Sequence, residues 1–399
     1  MTSGFDVSPP LAIPLARWAD RQLRQLASET GSTQIAALDG QTLLGERGAN
    51  GQYRINGPVS AGIGGSRLMQ TRDRGWFALT LIRAEDRELL PALFMDDALN
   101  IHSAEAIAKA VAQHDCAELV ARGRLLGLPV AGADETPASQ PVERLAIGPL
   151  RQRPPGHRPL VIDLSAIWAG PLAGHLLWLA GAEVVKVESV GRPDLIRQDD
   201  PATFDLINQG KASVLVDFAD AAQKASLVRL IERADVVIES ARVRALRQLG
   251  IDADALVRRV PGLVWLNVTG HGASGEAANW VGVGNDCGVA AGLTRAMAQV
   301  SGRIGYVGDA ITDPLTGITA AREGWRAYRS GTAARIGLSM SAIGAFALQE
   351  ERAHDPALID AELRGWAMAE GQAFPAVPRR AMLAPVRKPG ADTAAWLPC

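Results

Sequence analysis

Cysteine is scarce in this chain, and its three copies, Cys116, Cys287 and Cys399, are scattered. No CxxC occurs, so neither a disulfide framework nor a thiolate zinc site is implied. Charge of one sign is lacking too. The net charge is −2, which gives no electrostatic case for nucleic acid or an acidic membrane surface as a partner. No apolar run reaches the length of a membrane-spanning helix. The opening MTSGFDVSPPLAIPL has no basic segment and is broken by Pro9, Pro10 and Pro14. It does not read as a secretory signal, and a cytoplasmic setting is expected. The six histidines are His102, His114, His157, His175, His271 and His354. None is spaced from another, or from a cysteine, as a metal ligand pair would be, so no metal is expected. A P-loop, GxSxG and HExxH are also absent.

What is present describes a soluble globular chain: 399 residues, 47% hydrophobic and 21% charged, enough for two or three domains. Residues 1–150 read as a first, smaller α+β unit. It has an amphipathic helix at Arg17 to Glu29, a glycine-rich stretch ending GPVSAGIGGSR, and a strand-turn-strand pattern in MQTRDRGWFALTLI (69–82). Helical patterns follow at Arg87 to Leu93 and Ser103 to Leu126, and linkers at 132–140 and 151–159. Residues 351–399 read as a tail, with one helix at His354 to Ala369 and a proline- and arginine-rich end whose order would come from packing on another subunit.

Residues 151–350 have a different rhythm. LVIDL (160–164), EVVKVE (183–188), SVLVD (213–217), DVVIE (235–239) and LVWLNVT (263–269) are short apolar strands separated by helical patterns. That alternation predicts an α/β fold, a Rossmann-like parallel sheet with helices on both faces. Such sheets bind ligands beyond the C-terminal ends of their strands, here the loops at 165–170, 189–197, 240–243 and 270–275. His271 lies in the last of these, where an exposed histidine is the plainer reading; His175, inside an apolar helical pattern, reads as structural. The first strand leads into Ala166-Ile167-Trp168-Ala169-Gly170-Pro171 rather than GxGxxG. No glycine pair cradles a pyrophosphate there and Trp168 would crowd one, which argues against a nicotinamide dehydrogenase.

The stretch from Tyr306 to Leu348 organises the rest. It runs through Gly308-Asp309 to Asp313-Pro314 and then into a helical pattern. Asp313 falls at an expected N-cap with Pro314 at the first helical position, so its carboxylate should face free helix N–H groups and be ionised at neutral pH. On local pattern alone this is a structural cap.

A resemblance adds to that. VIDLSAIWAGPLAGHLLWLAGAEVVKVE (161–188), FDLINQGKASVLVDF (204–218), ADVVIESARVRALRQLGIDADAL (234–256), PGLVWLNVTGHG (261–272) and DPLTGITAA (313–321) together resemble the class III CoA-transferases. That family includes formyl-CoA:oxalate CoA-transferase, carnitine CoA-transferase and α-methylacyl-CoA racemase. The resemblance implies transfer of coenzyme A between an acyl-CoA and a carboxylic acid through a covalent aspartyl intermediate. Coenzyme A thioester is then a substrate, no cofactor is permanently bound, and the assembly is an interlaced homodimer. The family nucleophile is an aspartate followed four residues later by glycine, as Asp313 is by Gly317. Asp309 follows a glycine but lacks the downstream one.

By the same resemblance, CoA lies along Ile167, Trp168 and Ala169, then Val216, Asp217 and Phe218, then Ser240, Ala241 and Arg242. Several family cations are replaced here, by Ser189, Ala219 and Gln248; Arg192, Arg197, Arg242 and Arg247 stand near enough in sequence to compensate for phosphate binding. GPVSAGIGG (57–65), RGWFALTLI (74–82) and LVARGRLLGLPVA (119–131) echo the family's smaller domain, but precede the Rossmann-like unit, as a permuted or half-duplicated arrangement would. Gly62, Gly64 and Gly65 would then form a flap over the aspartate. Two alternatives stay open. One is an acyl-CoA racemase or isomerase, although VGVGND (281–286) has no histidine base and Asp286 would serve alone. The other is a non-catalytic acyl-CoA-binding protein.

Overall fold

The computed structural model describes residues 11–61, 65–138, 140–241 and 243–397. Their strands fall into two sheets. A small antiparallel sheet has the order β1 (Arg67–Gln70), β2 (Trp76–Leu79), β3 (Val130–Gly132). The large sheet comprises β4 (Val142–Leu150), β5 (Leu160–Asp163), β6 (Glu183–Ser189), β7 (Ala212–Val216), β8 (Val236–Glu239), β9 (Val264–Thr269) and β10 (Thr332–Ser339). Its order is β4-β10-β9-β8-β5-β6-β7, parallel throughout except for β4 at one edge.

Neighbouring residues on a strand point to opposite faces, and both faces are covered. Val161, Val184 and Leu266 enter one core, while Ile162, Val185 and Trp265 enter the other. The expected α/β architecture with a smaller mixed part is therefore what the chain adopts. From β5 the chain winds outward through β6 to β7, then returns to β8 on the other side of β5 and continues to β9 and β10. Winding reverses between β5 and β8, which opens a crevice at their C-terminal ends. The loops that follow these strands meet there: the Ala166 N–H donates to Ser240 Oγ at 3.2 Å.

Three features differ from the sequence reading. Thr332–Ser339 is a strand, although it sits within what reads as a helical stretch. Gly331, at φ 73°, ends the preceding helix, and the segment then inserts between β4 and β9, where pairing on both edges overrides local preference. The large sheet begins at Val142, ahead of the boundary expected at residue 150.

The helices Ala16–Thr30 and Gly40–Asn50 join the large core. Their Leu23, Leu26, Leu43 and Leu44 pack in one cluster with the helices Ala169–Leu179 and Thr312–Ser330. Glycines obscure the Gly40–Asn50 helix in the sequence. At Gly48 an added Cβ would lie 2.4 Å from the Phe374 ring, so the glycine is what lets that ring settle on the helix.

The tail is the third difference. Rather than awaiting another subunit, it packs along its own chain. Arg380 forks onto Glu46 with two 2.6 Å hydrogen bonds and donates to His175 Nε2 at 3.1 Å, which gives His175 the structural role expected of it. Asp392 and Thr393 accept from the Ser213 and Leu215 N–H groups at 2.9 and 3.0 Å, covering the β7 edge.

Candidate active site

Asp313 sits beyond the crevice, in the first turn of the Thr312–Ser330 helix. The helix starts two residues earlier than expected, so Asp313 is not its cap and no side chain caps it. The carboxylate turns instead to the neighbouring helix. Its Oδ1 accepts from the Ala169 N–H at 3.3 Å, one of the donors left free in the first turn of Ala169–Leu179. Two glycines make this approach feasible. A Cβ on Gly317 would lie 2.8 Å from the Ala169 carbonyl oxygen, and one on Gly284 would lie 2.1 Å from Asp313 Oδ2.

The carboxyl is buried, and that changes its acidity. Desolvation is the dominant influence and raises the pKa from the ordinary aspartate value to about 7, against the lowering effects of Arg47 and then the Ala169 N–H. Asp309 and Asp286 add smaller raising effects. The expectation of a fully ionised cap is thereby corrected: near neutrality Asp313 is poised between its two forms.

The loop before Ala169 is held under strain. Ile167 has φ 70°, a left-handed conformation that a β-branched residue resists. Its N–H donates to Asp194 Oδ1 at 3.1 Å. Asp194 Oδ2 is held in turn by the buried Lys186 at 2.9 Å, and Lys186 also donates to the Ser165 carbonyl at 3.1 Å. Burying this ion pair fixes the loop that presents Trp168 and Ala169.

Across the pocket stands Arg47, from the Gly40–Asn50 helix. It lies 3.2 Å from Asp200 and 3.4 Å from Asp309, with its guanidinium 5.3 Å from the Trp168 ring centroid. Asp309 is fully buried and accepts no hydrogen bond among the described residues; burial pushes its pKa upward against the pull of Arg47. Ser66, Thr80 and Asn285 complete this side. Ser66 Oγ and Thr80 Oγ1 are 2.8 Å apart, and Asn285 donates to Ser66 Oγ at 3.2 Å while accepting from the Ala310 N–H at 3.0 Å. Arg47, Ser66, Thr80, Asn285, Ile167, Trp168 and Asp313 thus share one mostly apolar pocket. Nothing in the local sequence singles out Arg47, Ser66, Thr80 or Asn285; a buried cation on a glycine-rich helix is their faintest signal.

Of the other expected contacts, Arg192, Phe218 and Ala241 line a second cavity, together with Ser165, Ala166, Leu246 and Leu249. Both cavities are lined from the loop 165–168 and from Asp194–Leu195, with Ile167, Trp168 and Leu195 on the first and Ser165, Ala166 and Asp194 on the second. Ser240 buttresses that loop through its bond to Ala166. Val216 is buried in the core, and the exposed Asp217 accepts from the Ala219 N–H at 2.8 Å; neither lines either of these two cavities. Arg197 is committed to Glu188 and stacks 4.1 Å from Phe204. Arg247 lies 3.5 Å from Asp254. Gly65, at φ 55°, precedes Ser66 at the rim, while Gly62, Gly64 and Arg242 lie outside the described residues.

His271 is buried rather than exposed. Its Nε2 lies 3.4 Å from Asp286 Oδ2, and the Cys287 S–H donates to the Gly270 carbonyl at 3.3 Å. Burial drives the Cys287 thiol far above its usual pKa. Asp286 is occupied with the Val283 N–H and His271, and it does not line the pocket that holds Asp313. That counts against its acting as the lone base of a racemase.

With this geometry in view, the model of CoA-transferase family III matches residues 159–375, more than half of the chain. The chain belongs to CoA-transferase family III. It is 33% identical over 176 residues to a probable fatty acyl-CoA transferase, Rv3272, of Mycobacterium tuberculosis, covering 41% of this chain and 43% of that protein. Succinate–glutarate CoA-transferase of Agrobacterium fabrum is 31% identical over 180 residues, covering 42% of this chain and 45% of that protein. A crystal structure of the mycobacterial protein aligns with 31% identity and a TM-score of 0.44, covering 49% of this chain and 59% of that one. The chain spans less than half the length of these curated relatives. Among the described residues, no helix is long and apolar enough to cross a membrane.

Proposed function

We propose that this family III protein transfers coenzyme A between carboxylic acids in the cytoplasm, with Asp313 as the covalent nucleophile. The observation that carries the reading is the Asp313 carboxyl itself. It is buried at the switch point, has a pKa near 7, and faces a helix N-terminus and a pocket that shares the loop 165–168 with a second cavity. Ionised Asp313 attacks the thioester carbonyl, the C–S bond breaks, and CoA thiolate leaves behind an aspartyl–acyl anhydride. The thiolate then attacks the aspartyl carbonyl, releasing the first acid as its carboxylate and leaving an aspartyl-CoA thioester. An acceptor carboxylate reverses both steps: it attacks that thioester, and the expelled thiolate attacks the new acyl carbonyl, restoring the Asp313 carboxylate.

The Ala169 N–H stands where oxygen charge develops, and the mostly apolar pocket strengthens its effect. The second cavity suits the nucleotide end of CoA, with Phe218 and Leu246 flanking a flat ring and Arg192 near the phosphates. A glycine flap at Gly62, Gly64 and Gly65 and a homodimer belong to the same proposal; the mass in solution checks the dimer. The decisive experiment is exposure to acyl-CoA, quenching with hydroxylamine and mass spectrometry of the peptides. A hydroxamate at Asp313 is expected, and a modification elsewhere or none overturns the reading.

A further inference from the structure

Resting on that reading, we propose that the acids exchanged are monocarboxylic acids with apolar chains, and that the pocket rejects an acid bearing a second carboxylate. The argument is the charge and polarity of the wall. The apolar lining around Asp313 is Ile82, Leu195, Ile196, Val283 and Trp168; of the neutral polar lining, Ser66, Thr80 and Asn285 are already hydrogen-bonded to one another. Arg47 is the one cation lining the pocket among the described residues, against Asp199, Asp200 and Asp313. It is already committed. Asp200 lies 3.2 Å away on one side and Asp309 3.4 Å on the other, while a guanidinium face rests on Trp168.

One incoming carboxylate is tolerated, because it arrives when Asp313 is esterified and carries no charge. A second has no such relief: it is desolvated among aliphatic side chains, beside like charges, with no uncommitted cation among the described residues to receive it. The same wall welcomes a terminal methyl group.

Butyryl-CoA and succinyl-CoA test this, because both acyl groups have four carbons and they differ in the terminal carboxylate. Binding is measured by calorimetry on full-length Asp313→Asn, which does not turn over, so the answer does not depend on catalysis. Butyryl-CoA is expected to bind at least roughly 10-fold more tightly, since like-charge juxtaposition in a desolvated site is costly. Equal affinity, or tighter binding of succinyl-CoA, overturns the inference. Ile82→Arg and Ile196→Arg, each checked for folding by circular dichroism, should narrow the ratio by supplying a cation. An unchanged ratio in both places the discrimination outside this pocket and overturns it as well. Wild-type transfer assays and the hydroxamate at Asp313 judge the underlying reading separately. Transfer with succinate as good as with butyrate sinks only the specificity.

Discussion

Asp313 has two sides, and they differ in kind. On the sheet side its surroundings are backbone: the Ala169 N–H, the close approach at Gly317, and a strained loop held by Asp194 and Lys186. On the front side they are side chains, from a helix and a small sheet far away in sequence: Arg47, Ser66 and Thr80. The sheet side determines where the carboxyl stands. The front side has the larger hand in its acidity, since Arg47 opposes the desolvation more strongly than the Ala169 hydrogen bond does. Position and acidity are thus assigned to different parts of the chain, and substitutions should separate them.

The largest effect expected is at the carboxyl, where both sides converge. Asp313→Asn should lower CoA transfer to background, a loss of roughly 10⁴-fold or more. Asparagine still accepts from the Ala169 N–H, so the fold should survive. Its stability has a definite sign. The folded pKa of about 7 lies above the unfolded value near 3.8, so between the two the folded chain keeps a proton that the unfolded chain has released. Wild-type stability therefore falls as pH rises from about 4 to 7 and levels off above, by up to a few kcal/mol. Asp313→Asn should lack this fall and be the more stable protein at pH 8. Urea melts at pH 5 and pH 8 read the difference directly, and a variant that weakens in step with wild type would show the carboxyl to be less buried than described.

Next comes a pair aimed at the division itself. Wild-type kcat/KM should rise with pH through a midpoint near 7 as Asp313 ionises. Arg47→Met removes the strongest influence lowering that pKa, so the midpoint should move up and activity at pH 7 should drop about 10-fold, recovering in part at higher pH. Arg47→Lys keeps the charge and should keep the midpoint. Gly317→Ala acts from the sheet side. Its methyl group meets the Ala169 carbonyl, and overpacking should cost about 1–3 kcal/mol of stability and reduce kcat without moving the midpoint. If Gly317→Ala shifts the pH profile and Arg47→Met does not, the assignment of roles is reversed.

The same division explains what could be read in the sequence. The parallel strands are apolar runs between turn signals, and each is found where LVIDL, EVVKVE, SVLVD, DVVIE and LVWLNVT predict. Their order of winding fixes the crevice, so Ile167, Trp168, Ala169 and Asp313 are legible as loop and helix-end residues. Arg47 is not, because nothing within its own helix points to a site; it gets there through packing of Leu43 and Leu44 on the large core. Ser66, Thr80 and Asn285 likewise meet only in three dimensions. Acidity was the further miss. A cap and a buried carboxyl share the same local sequence, and only the neighbours decide which pKa results.

The smallest effect belongs to Asp309, four residues before Asp313 and the runner-up on sequence grounds. It is buried beside Arg47, hydrogen-bonded to no described residue, and absent from the pocket lining. It acts on Asp313 through charge alone, as a minor raising influence below burial, Arg47 and the Ala169 N–H. Asp309→Asn removes that negative neighbour and leaves Arg47 more available to Asp313. Both changes favour the ionised nucleophile, so the midpoint of kcat/KM should move to lower pH, and turnover at pH 8 should stay within about threefold of wild type. Because burial already biases Asp309 toward its neutral form, the shift should be small. A variant with no transfer and no hydroxamate at any pH, alongside an active Asp313→Asn, would move the nucleophile one turn back along the chain. An upward shift would mean that Asp309 serves Arg47, holding it in reach of Asp313, and that the front side depends on this buried pair.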